Sequence, residues 1–179
     1  LNETIDTGDI ILQEEIAISP TETAGDLHDR MMLKGASLVI QSLDLIASDN
    51  YTLKKQSDIS SKDLKAAPKI FQEDCNIDWS QDSRSVYNHI RGLSPYPAAW
   101  TSVKTPQEKW RLKIFKARPQ TVAHTFPPGT IQTDNSSYLK IATGNGWIDV
   151  GNMQVSGKKP MPVTDFLRGH SIAADSRCE

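Results

Sequence analysis

Apolar and polar positions alternate over residues 9–18, with Ile10, Leu12, Ile16 and Ile18 on one face and Gln13 and Glu15 on the other. A period of two predicts a strand, and Glu14, which breaks the apolar face, predicts an edge position. Pro20 and Thr21-Glu22-Thr23 punctuate, and Thr23 with Asp26 forms a short version of a helix-start capping box. From there Leu27, Met31, Ala36, Leu38, Val39, Leu43 and Ile46 follow helical spacing to about Ser48, with Gly35 expected to separate two helices. A strand followed by helices is a fragment of an α/β layer, too small to close a sheet.

Asp49-Asn50 ends that unit, and residues 51–70 carry polar clusters, weak periodicity and Pro68, the pattern of a linker. Asp82 to Leu93 then reads as a short helix with Val86, Ile90 and Leu93 inward. Short strands follow at Ala98–Val103, Trp110–Ala117, Gly129–Gln132, Tyr138–Ala142 and Trp147–Val155. Turn signals separate them, the strongest at Asn145-Gly146, where both residues tolerate positive φ. Five short strands behind a helix suggest a small OB-like barrel over residues 71–170, closed by a helix at Val163–Arg168, with 171–179 as a tail. Trp110, Phe115, Tyr138 and Trp147 are expected to fill its core.

Charge sharpens this division. The 179 residues carry a formal −2, but residues 1–82 hold 7 basic and 16 acidic side chains, whereas residues 83–170 hold 12 and 4. Such an asymmetry points to two units with different partners, the basic one suited to a polyanion. No apolar run approaches the roughly 18 residues of a membrane span, and the first residues lack the order of a signal peptide. The chain therefore reads as cytoplasmic and not membrane-bound; separately, a monomer is expected. Cys75 and Cys178 stand far apart outside any C-x-x-C, and the four His show no paired spacing, so no disulfide framework or metal site is indicated. The chain begins without Met, and we expect it to be the back part of a longer protein.

Two segments offer chemistry. In the basic strand, Arg111 and Lys113 lie opposite the Leu112 and Ile114 face, Lys116 and Arg118 extend the charge, and Arg84, Arg91, Lys104, Lys158 and Lys159 add to it. Such a face attracts phosphates and gives salt-sensitive nucleic-acid binding; a solvated strand face is the alternative. Arg91-Gly92-Leu93-Ser94-Pro95-Tyr96-Pro97-Ala98-Ala99-Trp100 reads as a rigid helix-to-strand corner, a structural feature in which two prolines fix φ and Tyr96 and Trp100 are expected to pack around them. The other segment is Asp6-Thr7-Gly8-Asp9. Aspartic proteases use Asp-Thr-Gly in pairs, and no second copy exists here. A turn capped by Asp6 and a carboxylate that orients a catalytic group remain as its two readings.

Ordered motifs cover nearly the whole chain: Ile-Asp-Thr-Gly-Asp-Ile (5–10), Glu-Thr-Ala-Gly-Asp-Leu-His-Asp-Arg (22–30), Ala-Pro-Lys-Ile (67–70), Ile-Asp-Trp-Ser (77–80), Ile-Arg-Gly-Leu-Ser-Pro-Tyr-Pro (90–97), Lys-Ile-Phe-Lys-Ala (113–117), Pro-Gly-Thr-Ile (128–131), Ala-Thr-Gly-Asn-Gly (142–146) and Gly-Lys-Lys-Pro-Met (157–161). In this order and spacing they resemble the methionyl-tRNA formyltransferases. The resemblance implies the end of a Rossmann-like formyltransferase domain (1–50), a linker (51–70) and an OB-like, tRNA-binding C-terminal domain (71–170). It implies formyl transfer from 10-formyltetrahydrofolate to the amino group of initiator methionyl-tRNA, with no metal. Asp6 stands where the family has the Asp of an Asn, His and Asp catalytic set; the Asn, the His and most of the folate pocket would precede Leu1. Lys69 resembles a linker lysine placed near the tRNA acceptor end, while Asp58–Lys65 makes the linker longer than is usual.

Two other readings stand beside this one. A formyltransferase acting on an amino sugar nucleotide, or a formyl-folate hydrolase, would share the formyltransferase domain. A non-catalytic module holding RNA on residues 83–170 would share only the barrel.

Overall fold

The computed structural model describes residues 3, 5–56 and 65–179, which fall into two compact units. The first comprises Leu1–Pro20 and Asp26–Lys69, the second Thr21–Gly25 and Ile70–Glu179. Most of the expected long linker segment, Asp58–Lys65, lies outside the described residues.

Helix α1, Ala24–Ala47, belongs to the first unit from Asp26 onward and runs unbroken through Gly35. The expected separation into two helices is corrected: one glycine costs a helix about 1 kcal/mol, which a long run of Leu, Met, Ile and Ala absorbs. The strand expected over 9–18 is also corrected. Ile10 and Lys54 exchange two backbone hydrogen bonds of 2.9 Å in a single antiparallel bridge, and residues 11–18 are not assigned to a strand. Alternation marks a face that is half covered, whereas a ladder also needs a neighbouring strand. Side chains tie this segment to α1 instead: Arg30 donates to the Ala17 carbonyl at 3.2 Å, and Glu14, the residue that broke the apolar face, pairs with Lys34. No residue of α1 is buried, and Met31, Leu33, Val39 and Leu43 are exposed.

The second unit opens with a 3₁₀ turn at Glu73–Cys75 and helix α2, Ser83–Leu93. Asp82 caps α2 by accepting from the Arg84 and Ser85 amides at 2.9 and 3.0 Å. Val86, Ile90 and Leu93 face inward as their spacing predicts, joined by Ser83 and Tyr87. Strands β1 (Ala99–Lys104), β2 (Lys109–Gln120), β3 (Ile131–Thr133), β4 (Leu139–Ala142), β5 (Trp147–Val155), β6 (Met161–Pro162) and β7 (Arg177–Cys178) form one antiparallel sheet. Its order is β3-β4-β5-β2-β1-β7, with β6 on β5 and helix α3, Val163–Gly169, following β6. An isolated bridge from Thr130 to Arg177 brings the two ends together, so the sheet is a nearly closed barrel. Residues 171–179, expected as a tail, thus supply an edge of the barrel.

Ile90, Val103, Leu112, Ile114, Ile141, Ile148 and Met153 form its core at no more than 1% exposure. Trp147 joins the core and Trp110 packs against it, but Phe115 is half-buried and Tyr138 sits exposed at the rim. The β4–β5 hairpin forms around Asn145-Gly146 without positive φ at either residue. Asn145 is used instead for its side chain, whose Oδ1 accepts from the Ser83 amide at 2.8 Å. Gly146 is required by close approach, since a Cβ there would lie 2.2 Å from the Gln120 carbonyl oxygen.

Ile141→Ala removes a fully enclosed side chain and is expected to lower stability by about 2 to 5 kcal/mol, read as a fall in the urea midpoint. At α2, the Ser85 hydroxyl and the helix amides hold the Asp82 carboxyl below its ordinary range. Its contribution is therefore present above the unfolded-state carboxyl pKa and fades as pH falls through the lower folded-state value. Asp82→Ala should lower the melting temperature at neutral pH, and its difference from the unsubstituted chain should shrink on acidification; a difference independent of pH would refute the cap.

Candidate nucleic-acid interface and the Asp6 turn

In a regular strand residues 111, 113, 115 and 117 share a face, so Lys116 and Arg118 would turn away from Arg111 and Lys113. The register of β2 on β5 passes from Ile114↔Met153 to Lys116↔Asn152 and skips Phe115. Asn152 and Gln154, two apart, share one face, and Gln154 opposes Lys113. The bulge therefore returns Lys116 to the face of Lys113. A second shift, past Gly151, sets Arg118 opposite Asp149. Leu112 and Ile114 are buried beneath, while Arg111, Lys116 and Arg118 are exposed.

Arg111 does not extend freely. Its guanidinium carbon lies 4.0 Å from the centroid of Trp100, a cation–π contact that holds the charge over an aromatic face. Trp100 is itself fixed by donating its indole N–H to the Gln72 carbonyl at 2.8 Å, and Lys113 Nζ donates to the Pro97 carbonyl at 3.1 Å. With Phe71 and Tyr96 these residues line a cleft of about 280 Å³, and the packing expected of Tyr96 around the corner prolines is corrected, since its side chain is 86% exposed. Asp74 brings negative charge to the Cys75 side: it accepts from the Phe71 amide at 2.8 Å, and the Cys75 thiol is pushed up by burial first and then by Asp74. Both cysteines are buried free thiols, Cys178 raised by its burial. The β1–β2 register opposes Trp100 to Lys113, which makes Arg111 its diagonal neighbour. Trp100 was missed as a partner because that pairing needs a register, which composition lacks.

Lys158 and Lys159 are exposed in the turn after β5. The Ser156 amide donates to the Arg111 carbonyl at 3.1 Å, and Gln154 Nε2 donates to the Lys158 carbonyl at 2.7 Å, which draws this turn beside Arg111 and onto the face of Lys113. Arg91 differs. It donates to the Asn88 side chain at 2.8 Å and to the Glu22 carbonyl at 2.9 Å, beside the Tyr87 ring. Its guanidinium is engaged in holding residues 21–25 to α2. Lys69 is exposed at the end of the first unit.

Asp6, also in the first unit, is exposed and has φ +61°, a left-handed conformation for a non-glycine residue. Gln56 Nε2 donates to the Asp6 carbonyl at 3.1 Å and to the Gly8 carbonyl at 2.6 Å, bracketing the turn. The Asp6 carboxylate has no hydrogen bond among the described residues. Among those residues no group of His, Cys, Asp and Glu could hold a metal, and no helix is long and apolar enough to cross a membrane.

Residues 69–171 match the family model described as formyl transferase, C-terminal domain. The chain belongs to that family. Two curated relatives extend the likeness beyond the formyl transferase C-terminal domain: a methionyl-tRNA formyltransferase of Parabacteroides distasonis, 39% identical over 98% of this chain, and one of Azobacteroides pseudotrichonymphae, 43% identical over 96%. The chain spans about 55% of the length of the first relative and 54% of the second. Among solved structures, HypX from Aquifex aeolicus in complex with tetrahydrofolic acid shares the fold with a TM-score of 0.65, at 20% identity over 93% of this chain and 28% of that one. A formyl transferase C-terminal domain is thus built here as a small antiparallel barrel with a basic outer strand.

Proposed function

We propose that the chain is the C-terminal part of a methionyl-tRNA formyltransferase, an enzyme that moves a formyl group from 10-formyltetrahydrofolate to the amino group of methionine on initiator tRNA. The observation that carries this reading is identity near 40% along almost the whole chain to proteins of that name. In this reading residues 1–50 end a Rossmann-like formyltransferase domain, 51–70 link it to the tRNA-binding domain, and the protein is a cytoplasmic monomer. The exposed apolar side chains of α1 support an incomplete first domain, because large exposed apolar surface ordinarily meets a partner.

The chemistry needs three things of the protein. The methionine ammonium must lose a proton before its nitrogen attacks the formyl carbon, the formyl oxygen must be stabilised as an oxyanion, and the departing folate nitrogen must receive a proton. The substrate amine is the nucleophile, so no covalent enzyme intermediate is required. Asp6 acts through its neighbour: its carboxylate orients an imidazole of the preceding segment and supports the positive charge that imidazole gains on taking the proton. Its lack of a hydrogen-bond partner among the described residues leaves that carboxylate available for the role. Arg111, Lys113, Lys158, Lys159 and Lys69 contact tRNA phosphates, and Arg91 supports that surface by holding residues 21–25 in place.

The complete gene product, supplied with 10-formyltetrahydrofolate and charged initiator tRNA, should transfer formyl to methionine, and absence of transfer would overturn the assignment. Asp6→Asn should depress turnover far more than tRNA affinity, and the reverse pattern would remove Asp6 from the chemistry. Charge reversal at Arg111 and Lys113 should weaken tRNA binding and reduce the slope of log affinity against log salt by about 1 to 2, since each lost phosphate contact releases about 0.7 to 0.9 fewer counterions. An unchanged salt slope would move the contact surface elsewhere.

A further inference from the structure

We infer that Gln56 is a positioning residue for Asp6, its side-chain amide holding the Asp6–Gly8 turn so that the carboxylate is presented in one orientation. The inference rests on the reading of Asp6 given above. Ile10 and Lys54 exchange both backbone hydrogen bonds in an isolated antiparallel bridge, and because antiparallel segments run past each other, the residues just after Lys54 come back beside those just before Ile10. Lys54 strengthens the pairing by donating from Nζ to Gln13 Oε1 at 3.2 Å. The half-buried Gln56 therefore reaches the turn from a fixed base.

A primary amide carries two N–H groups on one nitrogen, and Gln56 directs them to the carbonyls on either side of Thr7, at 3.1 Å to Asp6 and 2.6 Å to Gly8. Fixing those two carbonyls restricts the backbone torsions between them. That restriction matters because Asp6 stands at φ +61°, where an L side chain crowds the backbone and which persists when surrounding groups over-determine it. The turn is otherwise exposed, with Ile5, Asp6 and Thr7 all open to solvent. Glutamine suits the task by chemistry as well as length: a carboxylate in its place would bring two acceptors against two acceptors.

The test uses the complete gene product with Gln56→Met, which keeps the length and removes both donors, and Gln56→Glu. For Gln56→Met, turnover should fall by about tenfold to a hundredfold, the range expected when a catalytic group shifts by an ångström or less, with KM for charged tRNA within about twofold. For Gln56→Glu, the deficit relative to the unsubstituted enzyme at the same pH should narrow on acidification, as the carboxylic acid regains one donor. A readout independent of activity is cleavage by a protease that cuts before aspartate: at Asp6 and Asp9 it should accelerate in Gln56→Met while the far-ultraviolet spectrum stays unchanged. Full turnover in Gln56→Met, or unaltered cleavage, would overturn the positioning role. Absent transfer in the unsubstituted protein, or full turnover in Asp6→Asn, would instead overturn the functional reading beneath it, leaving the cleavage comparison to decide whether Gln56 holds the turn.

Discussion

The barrel of this chain depends on a seam at Gly129. Its amide donates to the Ala142 carbonyl and its carbonyl accepts from the Cys178 amide, both at 2.8 Å, so one residue joins β4 to the chain's last strand. The approach is close enough that a Cβ at Gly129 would stand 2.3 Å from the Cys178 carbonyl oxygen, and φ is +84°. Only glycine meets both demands without displacement. With the seam made, β7 lies on β1, Glu179 and Ser102 exchange backbone hydrogen bonds, and the Thr101 hydroxyl donates to Glu179 O while accepting from the Trp79 indole. Closure removes an edge that would otherwise be open to pairing with another chain.

The nearly closed barrel also decides what its outer surface can do. Because Leu112, Ile114 and Met153 are needed inside, Arg111 and Lys113 must face out. The Phe115 bulge, which interrupts this alternation, carries Lys116 back to the same side. The resulting stripe is continued by the turn at Lys158 and Lys159 and is held by ordered contacts, Trp100 beneath Arg111 and the Pro97 carbonyl beneath Lys113. Fixed cations lose less freedom on meeting a phosphate than flexible ones, which favours binding by a preorganised surface.

Much of this was legible in the chain. The α2 face, the Asp82 start, β5 to the residue and the inward Leu112 and Ile114 all follow from periodicity and capping, because local backbone geometry and burial act on neighbouring residues. The strand expected over 9–18 and the break expected at Gly35 failed for a shared reason. Alternation and glycine are local signals, whereas a strand exists only with a partner and a helix stops only where stopping is better satisfied than continuing. Arg91 shows the same limit: its charge was visible, but its engagement with Asn88 and Glu22 was not.

By itself the sequence determined the division into an acidic first part and a basic second one, the positions of the main elements of the barrel, and the family through its ordered motifs. It also singled out Asp6 and the β2 cations as the residues with chemistry to offer. Tertiary structure alone decided that residues 177–178 complete the sheet, that Trp100 carries Arg111, that Asn145-Gly146 serves contact rather than left-handed torsion, and that Gln56 brackets the Asp6 turn. The physical reason is range. Periodicity and capping join residues within a few positions of one another, whereas each of these features joins residues separated along the chain and exists only once register and closure have brought them together.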